Sequence, residues 1–193
     1  MKKNVLVICG SPRRNSTNEN LINAIADLFS DVLNIKIFQR LADIPHFNPD
    51  LDTDDPPDAV ADFRMQLHEV DGILICTPEY AMGVPDTLKN AIDWTVSSME
   101  FSHKPVALIT ASLAGHKGHL SLMETLKVIE ADIPDSSRLL ISFAKTKIGD
   151  NKIINVETLA QVIKLIDSLM LTIGNKTKRH FKANKETNEI SSR

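Results

Sequence analysis

Short apolar runs alternate with amphipathic stretches along most of the chain, and this alternation constrains the fold more than any other feature. Three of the five runs are nearly continuous Val, Ile, Leu and Ala, as is typical of strands that helices cover on both faces. The run at 35–38 belongs to a segment that alternates apolar and polar residues, which suits an edge strand. The predicted strands are residues 5–9, 35–38, 73–76, 106–110 and 139–143.

Apolar residues at helical spacing fill the intervals between these runs. The helical stripes span residues 21–29, 60–70, 88–99, 120–129 and 159–173. Strands that alternate with helices through right-handed crossovers predict an α/β fold with a parallel, doubly wound sheet. We therefore expect one domain over residues 1–174 and a polar, basic, frayed tail over residues 175–193. In such a sheet, ligands bind beyond the carboxyl ends of the strands, where the strand order reverses.

Charge and composition exclude several classes of partner. The formal net charge of -3 provides no basic field to hold nucleic acid. The apolar run at 5–9 is shorter than the roughly 7–15 residues that a signal peptide needs, so we expect a cytoplasmic protein without a membrane partner. Cys9 and Cys76 end apolar runs and are predicted to be buried core thiols. The acidic residues of one loop are expected to be solvated: Asp50, Asp52, Asp54, Asp55 and Asp58.

The loop at residues 10–18 has the composition of a phosphate cradle. Gly10 lets the backbone turn, and the start of the following helix offers free N–H groups to an anion. Arg13 adds positive charge, and further donors come from Ser11, Ser16, Thr17 and Asn18. The loop matches neither the P-loop nor the dinucleotide-binding consensus. The alternative is an ordinary capped helix with Ser16 or Thr17 as the N-cap, which leaves two arginines unexplained.

The loop after the third predicted strand carries the string P-E-Y-x4-P-x2-L-K-N-x2-D-W at residues 78–94. Together with the first loop, it resembles the NADPH-dependent FMN reductase family, which includes quinone, azo-dye and chromate reductases. The resemblance in element order spans about residues 3–173. The matching residues are Gly10, Ser11, Arg13, Ser16, Asn18, Pro78, Glu79, Tyr80, Pro85, Leu88, Lys89, Asn90, Asp93 and Trp94.

The resemblance implies a flavodoxin-like sheet with strand order 2-1-3-4-5 and an FMN cofactor. It implies NADPH or NADH as the electron donor and a quinone-like, azo or other small molecule as the acceptor, in a ping-pong reaction. It also implies a homodimer or homotetramer, with the helix around Trp94 at the interface. For Trp94, core packing is the alternative interpretation.

The resemblance also implies which residues bind FMN. The phosphate would be held by Ser11, Arg13, Ser16, Thr17 and Asn18. The ribityl chain and one edge of the ring would contact Pro78, Glu79, Tyr80, Ala81 and Gly83, and the pyrimidine side would contact Ser112 and Gly115. No catalytic side chain is expected, because the flavin carries the chemistry. Glu79 is therefore expected to order its loop, and the alternative for Tyr80 is a half-buried loop anchor.

Some positions depart from the family pattern. Ala81-Met82 stands where relatives often have Asn-Gly, and Gly118-His119 with Ser121 stands where relatives often have a Gly-Gly pair and a nearby arginine. His116 and His119 are three residues apart with no third ligand nearby, so no metal site is predicted. In the helical stripe at residues 88–99, Lys89 and Asp93 are four residues apart and are expected to pair.

Two other functions remain as alternatives to a reductase. A flavodoxin-type one-electron carrier more typically has a phosphate loop rich in threonine and glycine, with acidic residues around the flavin. A cofactor-free scaffold that keeps the fold for interaction would gain no stability from FMN.

Overall fold

The computed structural model describes the backbone of residues 1–191 and the side chains of residues 1–176. A parallel sheet forms its centre and helices cover both faces. The strands are β1 (Lys3–Cys9), β2 (Leu33–Ile37), β3 (Gly72–Thr77), β4 (Val106–Ala111) and β5 (Arg138–Ile141), followed by a small hairpin of β6 (Ile148–Gly149) and β7 (Lys152–Ile153). The helices are α1 (Thr17–Leu28), α2 (Asp58–Glu69), α3 (Asp86–Asp93), α4 (His116–Val128) and α5 (Val156–Ser191).

The strand order β2-β1-β3-β4-β5 confirms the expected topology, including β2 at an edge. All neighbouring strands of this sheet are parallel, and Cys9 of β1 lies opposite Cys76 of β3. The order reverses between β1 and β3, so the loops after these two strands diverge to opposite faces. The carboxyl ends of β1, β3 and β4 therefore meet at one edge of the sheet.

Side chains of each central strand alternate between two cores. In β1, Leu6 and Ile8 pack with Phe63 and Trp94 on one face, whereas Val5 and Val7 pack against α1 and α5 on the other. All four of these β1 side chains are at most 1% exposed. Burial on both faces explains why the central runs are continuously apolar in sequence.

The third helix ends earlier than its apolar stripe predicts. It stops at Asp93 rather than continuing to residue 99, and Met99 has a positive φ of 62°. Arg64 accounts for this end, because its Nε donates to the Trp94 carbonyl oxygen at 2.9 Å, next to the last helical residue. The indole of Trp94 is fully buried and donates to the Pro45 carbonyl at 2.8 Å, which confirms the core-packing interpretation.

Asp52 is an ion-pair partner, so its predicted solvation is wrong. Its carboxylate accepts hydrogen bonds from Ser97 Oγ at 2.7 Å and from Arg64 Nη2 at 2.6 Å. These two contacts, with Ser97 the larger cause, lower the pKa of Asp52. The same arginine also contacts the Trp94 carbonyl, so the loop, α2 and the end of α3 are joined at one point.

The end of the fifth strand and the tail after residue 174 differ in detail from their predictions. β5 ends at Ile141 rather than at 143, and Phe143 adopts a left-handed φ of 55°. The polar tail predicted for 175–193 continues α5 up to Ser191, and its side chains beyond 176 lie outside the described residues. No helix in the described part of the chain is long and apolar enough to span a membrane.

Candidate functional site

A cavity of about 270 Å³ lies at the carboxyl edge of the sheet, among the loops that follow β1, β3, β4 and β5. The predicted residues that line it are Ser11, Arg13, Ser16, Thr17, Asn18, Pro78, Tyr80 and Ser112. The other lining residues are Ala111, Leu113, Phe143, Ala144, Lys145 and Thr146. The structure thus brings all five predicted phosphate-binding residues together with parts of two other loops. These are the second loop, residues 78–85 between β3 and α3, and the third loop, residues 112–115 between β4 and α4.

Internal hydrogen bonds hold the first loop in place. Ser16 is the N-cap of α1, and its Oγ accepts the Glu19 N–H at 3.1 Å, as the capping interpretation predicts. Ser11 Oγ accepts the Arg13 N–H at 3.4 Å. A side chain at Gly10 would lie 2.4 Å from Thr77 Oγ1, so this position requires glycine where β1 meets β3. Capping therefore accounts for one hydroxyl and leaves the arginine free for another role.

Arg13 projects from this loop without a carboxylate partner among the described residues. It is exposed and lines the cavity. An unpaired guanidinium beside a helix N-terminus is a favourable place for an anion. The first loop therefore presents positive charge and hydroxyl groups to the cavity.

The second loop folds into a tight turn at Tyr80 and Gly83. Their backbones exchange two hydrogen bonds, of 2.9 and 2.8 Å, across Ala81 and Met82. Both central residues have positive φ, 47° and 64°, which is the backbone that a type I′ turn requires. Asn-Gly is the favoured pair in such a turn, so the Ala-Met departure places side chains where the backbone is strained.

Glu79 connects the second loop to the third. Its Oε2 accepts the N–H of Gly118 at 2.7 Å, in the first turn of α4, and its own N–H donates to Ser112 Oγ at 3.2 Å. A carboxylate at a helix N-terminus also interacts favourably with the helix dipole. These contacts agree with the expected loop-ordering role.

Four predicted residues lie outside the cavity lining: Glu79, Ala81, Gly83 and Gly115. A side chain at Gly83 would meet nothing closer than the Tyr80 carbonyl at 3.7 Å. Gly115 has a φ of 94°, and a side chain there would lie 2.6 Å from Leu140 Cδ1. The positive φ and the nearby β5 side chain therefore require glycine at position 115. Flavin contact by the four residues outside the lining stays a prediction.

Sequence reasoning missed the segment after β5, which lines one wall of the cavity with Phe143, Ala144, Lys145 and Thr146. The available signal was the rule that ligands bind after the ends of the strands, applied to the fifth strand as well as to the first, third and fourth. The predicted strand ran to residue 143, so it covered the beginning of this wall.

His119 lies in the first turn of α4. Its Nδ1 is 2.8 Å from Thr110 Oγ1. Burial lowers the pKa of His119, with smaller contributions from Arg138 and His116, because each disfavours the imidazolium. Within residues 1–176, no three His, Cys, Asp or Glu side chains are grouped as metal ligands.

The two cysteines differ in exposure. Cys76 is fully buried, as expected, and desolvation raises the pKa of its thiol well above the usual range. Cys9 is only partly buried and lines a second cavity of about 370 Å³ on the β2 side, and burial raises the pKa of its thiol. A raised pKa leaves both thiols protonated and weakly reactive at neutral pH.

Comparison with known proteins agrees with this geometry. The family model described as NADPH-dependent FMN reductase matches residues 3–145. A quinone reductase of Pseudomonas putida is 30% identical over 162 residues, 80% of this chain and 86% of the relative. An NAD(P)H-dependent FMN reductase of Pseudomonas aeruginosa is 34% identical over 147 residues, 73% of this chain and 78% of the relative.

A solved structure shows the same likeness in three dimensions. The flavoenzyme NAD(P)H:(acceptor) oxidoreductase FerB of Paracoccus denitrificans superimposes with a TM-score of 0.71 at 25% identity, covering 90% of this chain and 98% of FerB. The fold, the loop string at 78–94 and the family match point to one conclusion: the chain belongs to the NADPH-dependent FMN reductase family of oxidoreductases.

Proposed function

We propose that the chain takes electrons from NADPH or NADH, passes them through FMN, and reduces a quinone-like, azo or other small acceptor. Membership of the FMN reductase family supports the donor and the cofactor. Relatives described as quinone reductases support the class of acceptor.

The observation that carries the proposal is the composition of the cavity at the carboxyl edge of the sheet. Its lining combines Arg13 and the hydroxyls of the first loop with the exposed apolar side chains of Leu113 and Phe143 and the ring of Tyr80. No lining residue in the described chain is acidic. A lining that offers both cationic, polar groups and apolar surface fits a molecule that carries a phosphate and an aromatic ring.

Each part of the cavity has a distinct role in this proposal. The phosphate is surrounded by Ser11, Arg13, Ser16 and Thr17. Asn18 supports their loop through its hydrogen bond to the Ala111 carbonyl. Pro78, Tyr80 and Ser112 line the side nearer the ring. FMN held by these residues would supply the chemistry, which is hydride acceptance from the nicotinamide and electron donation to the acceptor. The protein positions the two reactants in turn at one open face, which predicts ping-pong kinetics.

The electron-carrier alternative fits the cavity less well. It expects acidic residues around the flavin, whereas the charged lining residues in the described chain are Arg13 and Lys145. Acidic residues around a flavin would disfavour its negatively charged two-electron-reduced form, and no acidic residue of the described chain lines this cavity. The charge of the lining therefore supports a reductase.

We also propose that the protein acts in the cytoplasm as a homodimer or homotetramer. The apolar side chains of Val96 and Met99, just beyond α3, are 53% and 59% exposed. Their exposure supports a partner subunit near the helix that the family resemblance assigns to the interface. Light scattering after size-exclusion chromatography distinguishes monomer, dimer and tetramer.

The test of the function is spectroscopic. Purified protein mixed with FMN and freed of excess should show flavin absorbance in stoichiometric amount. Under anaerobic conditions, NADPH or NADH should bleach it, and a quinone should restore it. Initial rates at several quinone concentrations should give parallel double-reciprocal lines. A protein that binds no FMN, or a bound flavin that neither nicotinamide bleaches, contradicts the proposal.

A further inference from the structure

A second cation, outside the first loop, lines the same cavity. Lys145 lies in a 3-10 turn, Ala144–Thr146, that follows β5. It lines the same cavity as Arg13, although the two residues are far apart in sequence. The first loop and this turn therefore both contribute to one cavity.

Neither cation is neutralised by the described part of the protein. Two other exposed lysines pair with carboxylates, Lys127 with Glu124 at 2.7 Å and Lys89 with Asp93 at 2.5 Å. Lys145 has no carboxylate within ion-pair distance among the described residues, and none lines its cavity. Two like charges held at one space without a counter-ion favour an anionic ligand.

The turn that carries Lys145 is fixed to the third loop. The Phe143 N–H donates to the Leu113 carbonyl at 3.0 Å, and the Ala144 N–H donates to the Ser112 carbonyl at 3.0 Å. Ala144 is 2% exposed, so the backbone beside the lysine is anchored in the core. The left-handed φ of 55° at Phe143 is a strained conformation, which persists where surrounding contacts determine it.

We propose that Lys145 is a second phosphate-binding residue of this site, acting together with Arg13, and that it contributes to the choice of FMN over riboflavin. The proposal rests on the function proposed above. A phosphate monoester carries about -1.5 to -2 charges at neutral pH, so one guanidinium neutralises only part of it. The Lys145 ammonium supplies the remaining charge as a mobile point charge, whereas the Arg13 guanidinium supplies a planar hydrogen-bonding group.

The test compares FMN and riboflavin binding to flavin-free protein by quenching of flavin fluorescence. Lys145→Gln should raise the Kd for FMN about tenfold, the lower end for a charged hydrogen bond because the lysine is exposed, and leave the Kd for riboflavin unchanged. Lys145→Arg should retain most of the FMN affinity. Lys147→Gln is the matched control, because Lys147 is two residues away and does not line the cavity. It should bind FMN as the unaltered protein does.

Inorganic phosphate gives an independent readout. It should compete with FMN in the unaltered protein and compete more weakly in Lys145→Gln. An unchanged FMN Kd in Lys145→Gln, or an equal loss of FMN and riboflavin binding, overturns the role of Lys145 alone. Equal affinity of the unaltered protein for FMN and riboflavin overturns any phosphate site here, and a protein that binds neither flavin overturns the proposed function as well.

Discussion

Asn18 and Ala111 join the first helix to the end of the fourth strand, since Asn18 Nδ2 donates to the Ala111 carbonyl at 3.0 Å. The amide oxygen of Asn18 also accepts the Cys76 thiol at 3.3 Å, and the residue is 3% exposed. These two bonds use the side-chain oxygen of Asn18 and one of its two side-chain N–H groups, so the residue positions the cavity walls. Its direct contact with phosphate stays a prediction.

Replacement of Asn18 should destabilise the fold. Asn18→Ala leaves a buried carbonyl at Ala111 without its donor, and we expect the free energy of unfolding to fall by about 1–3 kcal/mol in urea denaturation. Asn18→Asp sets a carboxylate oxygen against that carbonyl and should cost at least as much at neutral pH. A loss below about 0.5 kcal/mol for Asn18→Ala would contradict the positioning role.

Arg13→Ala should weaken FMN binding much more than riboflavin binding. A charged hydrogen bond to phosphate contributes about 1.5–3 kcal/mol, so the FMN Kd should rise by at least tenfold. Titration calorimetry with both flavins isolates the phosphate contribution. Arg14→Ala is the matched control, because Arg14 lines the second cavity and not this one. An equal effect of the two substitutions would show that only the net charge of the loop matters.

Two glycines that meet between the second and third loops should respond differently to alanine. A Cβ at Gly118 would lie 2.7 Å from the Gly83 carbonyl oxygen, which is too close. A Cβ at Gly83 would have its nearest neighbour, the Tyr80 carbonyl oxygen, at 3.7 Å, an ordinary van der Waals distance. Gly118→Ala gains up to about 1 kcal/mol of helix propensity but crowds backbone, so we expect a net loss of about 1–2 kcal/mol in unfolding free energy. Gly83→Ala should stay within about 0.5 kcal/mol. Equal stabilities of the two variants would disprove the close approach.

Met82→Gly should stabilise the protein. Met82 holds a left-handed φ of 64° and its side chain is 74% exposed, so the substitution removes backbone strain and little packing. The strain is about 1–2 kcal/mol, and the added freedom of glycine in the unfolded chain offsets about 0.5–1 kcal/mol of it. We expect the thermal midpoint to rise slightly with flavin binding unchanged. A lower midpoint would mean that Met82 makes a contact that outweighs the strain.

The folded protein should lose stability in mildly acid solution in part through His119. Its folded pKa lies below the ordinary 6.5, so below that value the unfolded chain binds more protons than the folded one. The His119 contribution is fully present above pH 6.5 and is lost as pH falls through the folded pKa. His119→Gln should flatten this part of a stability profile measured by urea denaturation between pH 5 and 8. An equally steep profile in the variant would assign the pH dependence to other groups.

The alternation of apolar runs and helical stripes was sufficient for the element order and the core. Continuous Val, Ile and Leu in β1, β3 and β4 indicates strands buried on both faces, and this pattern is local in sequence. The alternating residues of β2 correctly indicated an edge. The Lys89–Asp93 pair was likewise predictable, because its geometry follows from helical spacing alone, and it is present at 2.5 Å.

Long-range contacts explain why two predictions were wrong, the end of α3 and the solvation of Asp52. The α3 stripe continues to Met99, but Arg64 from α2 binds the Trp94 carbonyl, and the helix stops. Asp52 stands in a run of acidic residues that resembles a solvated loop, yet the same arginine pairs with it. Neither contact has a signature in the local pattern, because each joins segments that only the folded chain brings together.

The sequence by itself determined the fold class and the family resemblance, and it predicted the residues of the phosphate loop, since each depends on neighbours within a few turns of the chain. The tertiary structure alone decided that Lys145 shares a cavity with Arg13 and that Asn18 faces Ala111. It also showed that Glu79 contacts the start of α4 rather than the cavity. These arrangements depend on the parallel sheet, which brings the carboxyl ends of strands far apart in sequence to one edge.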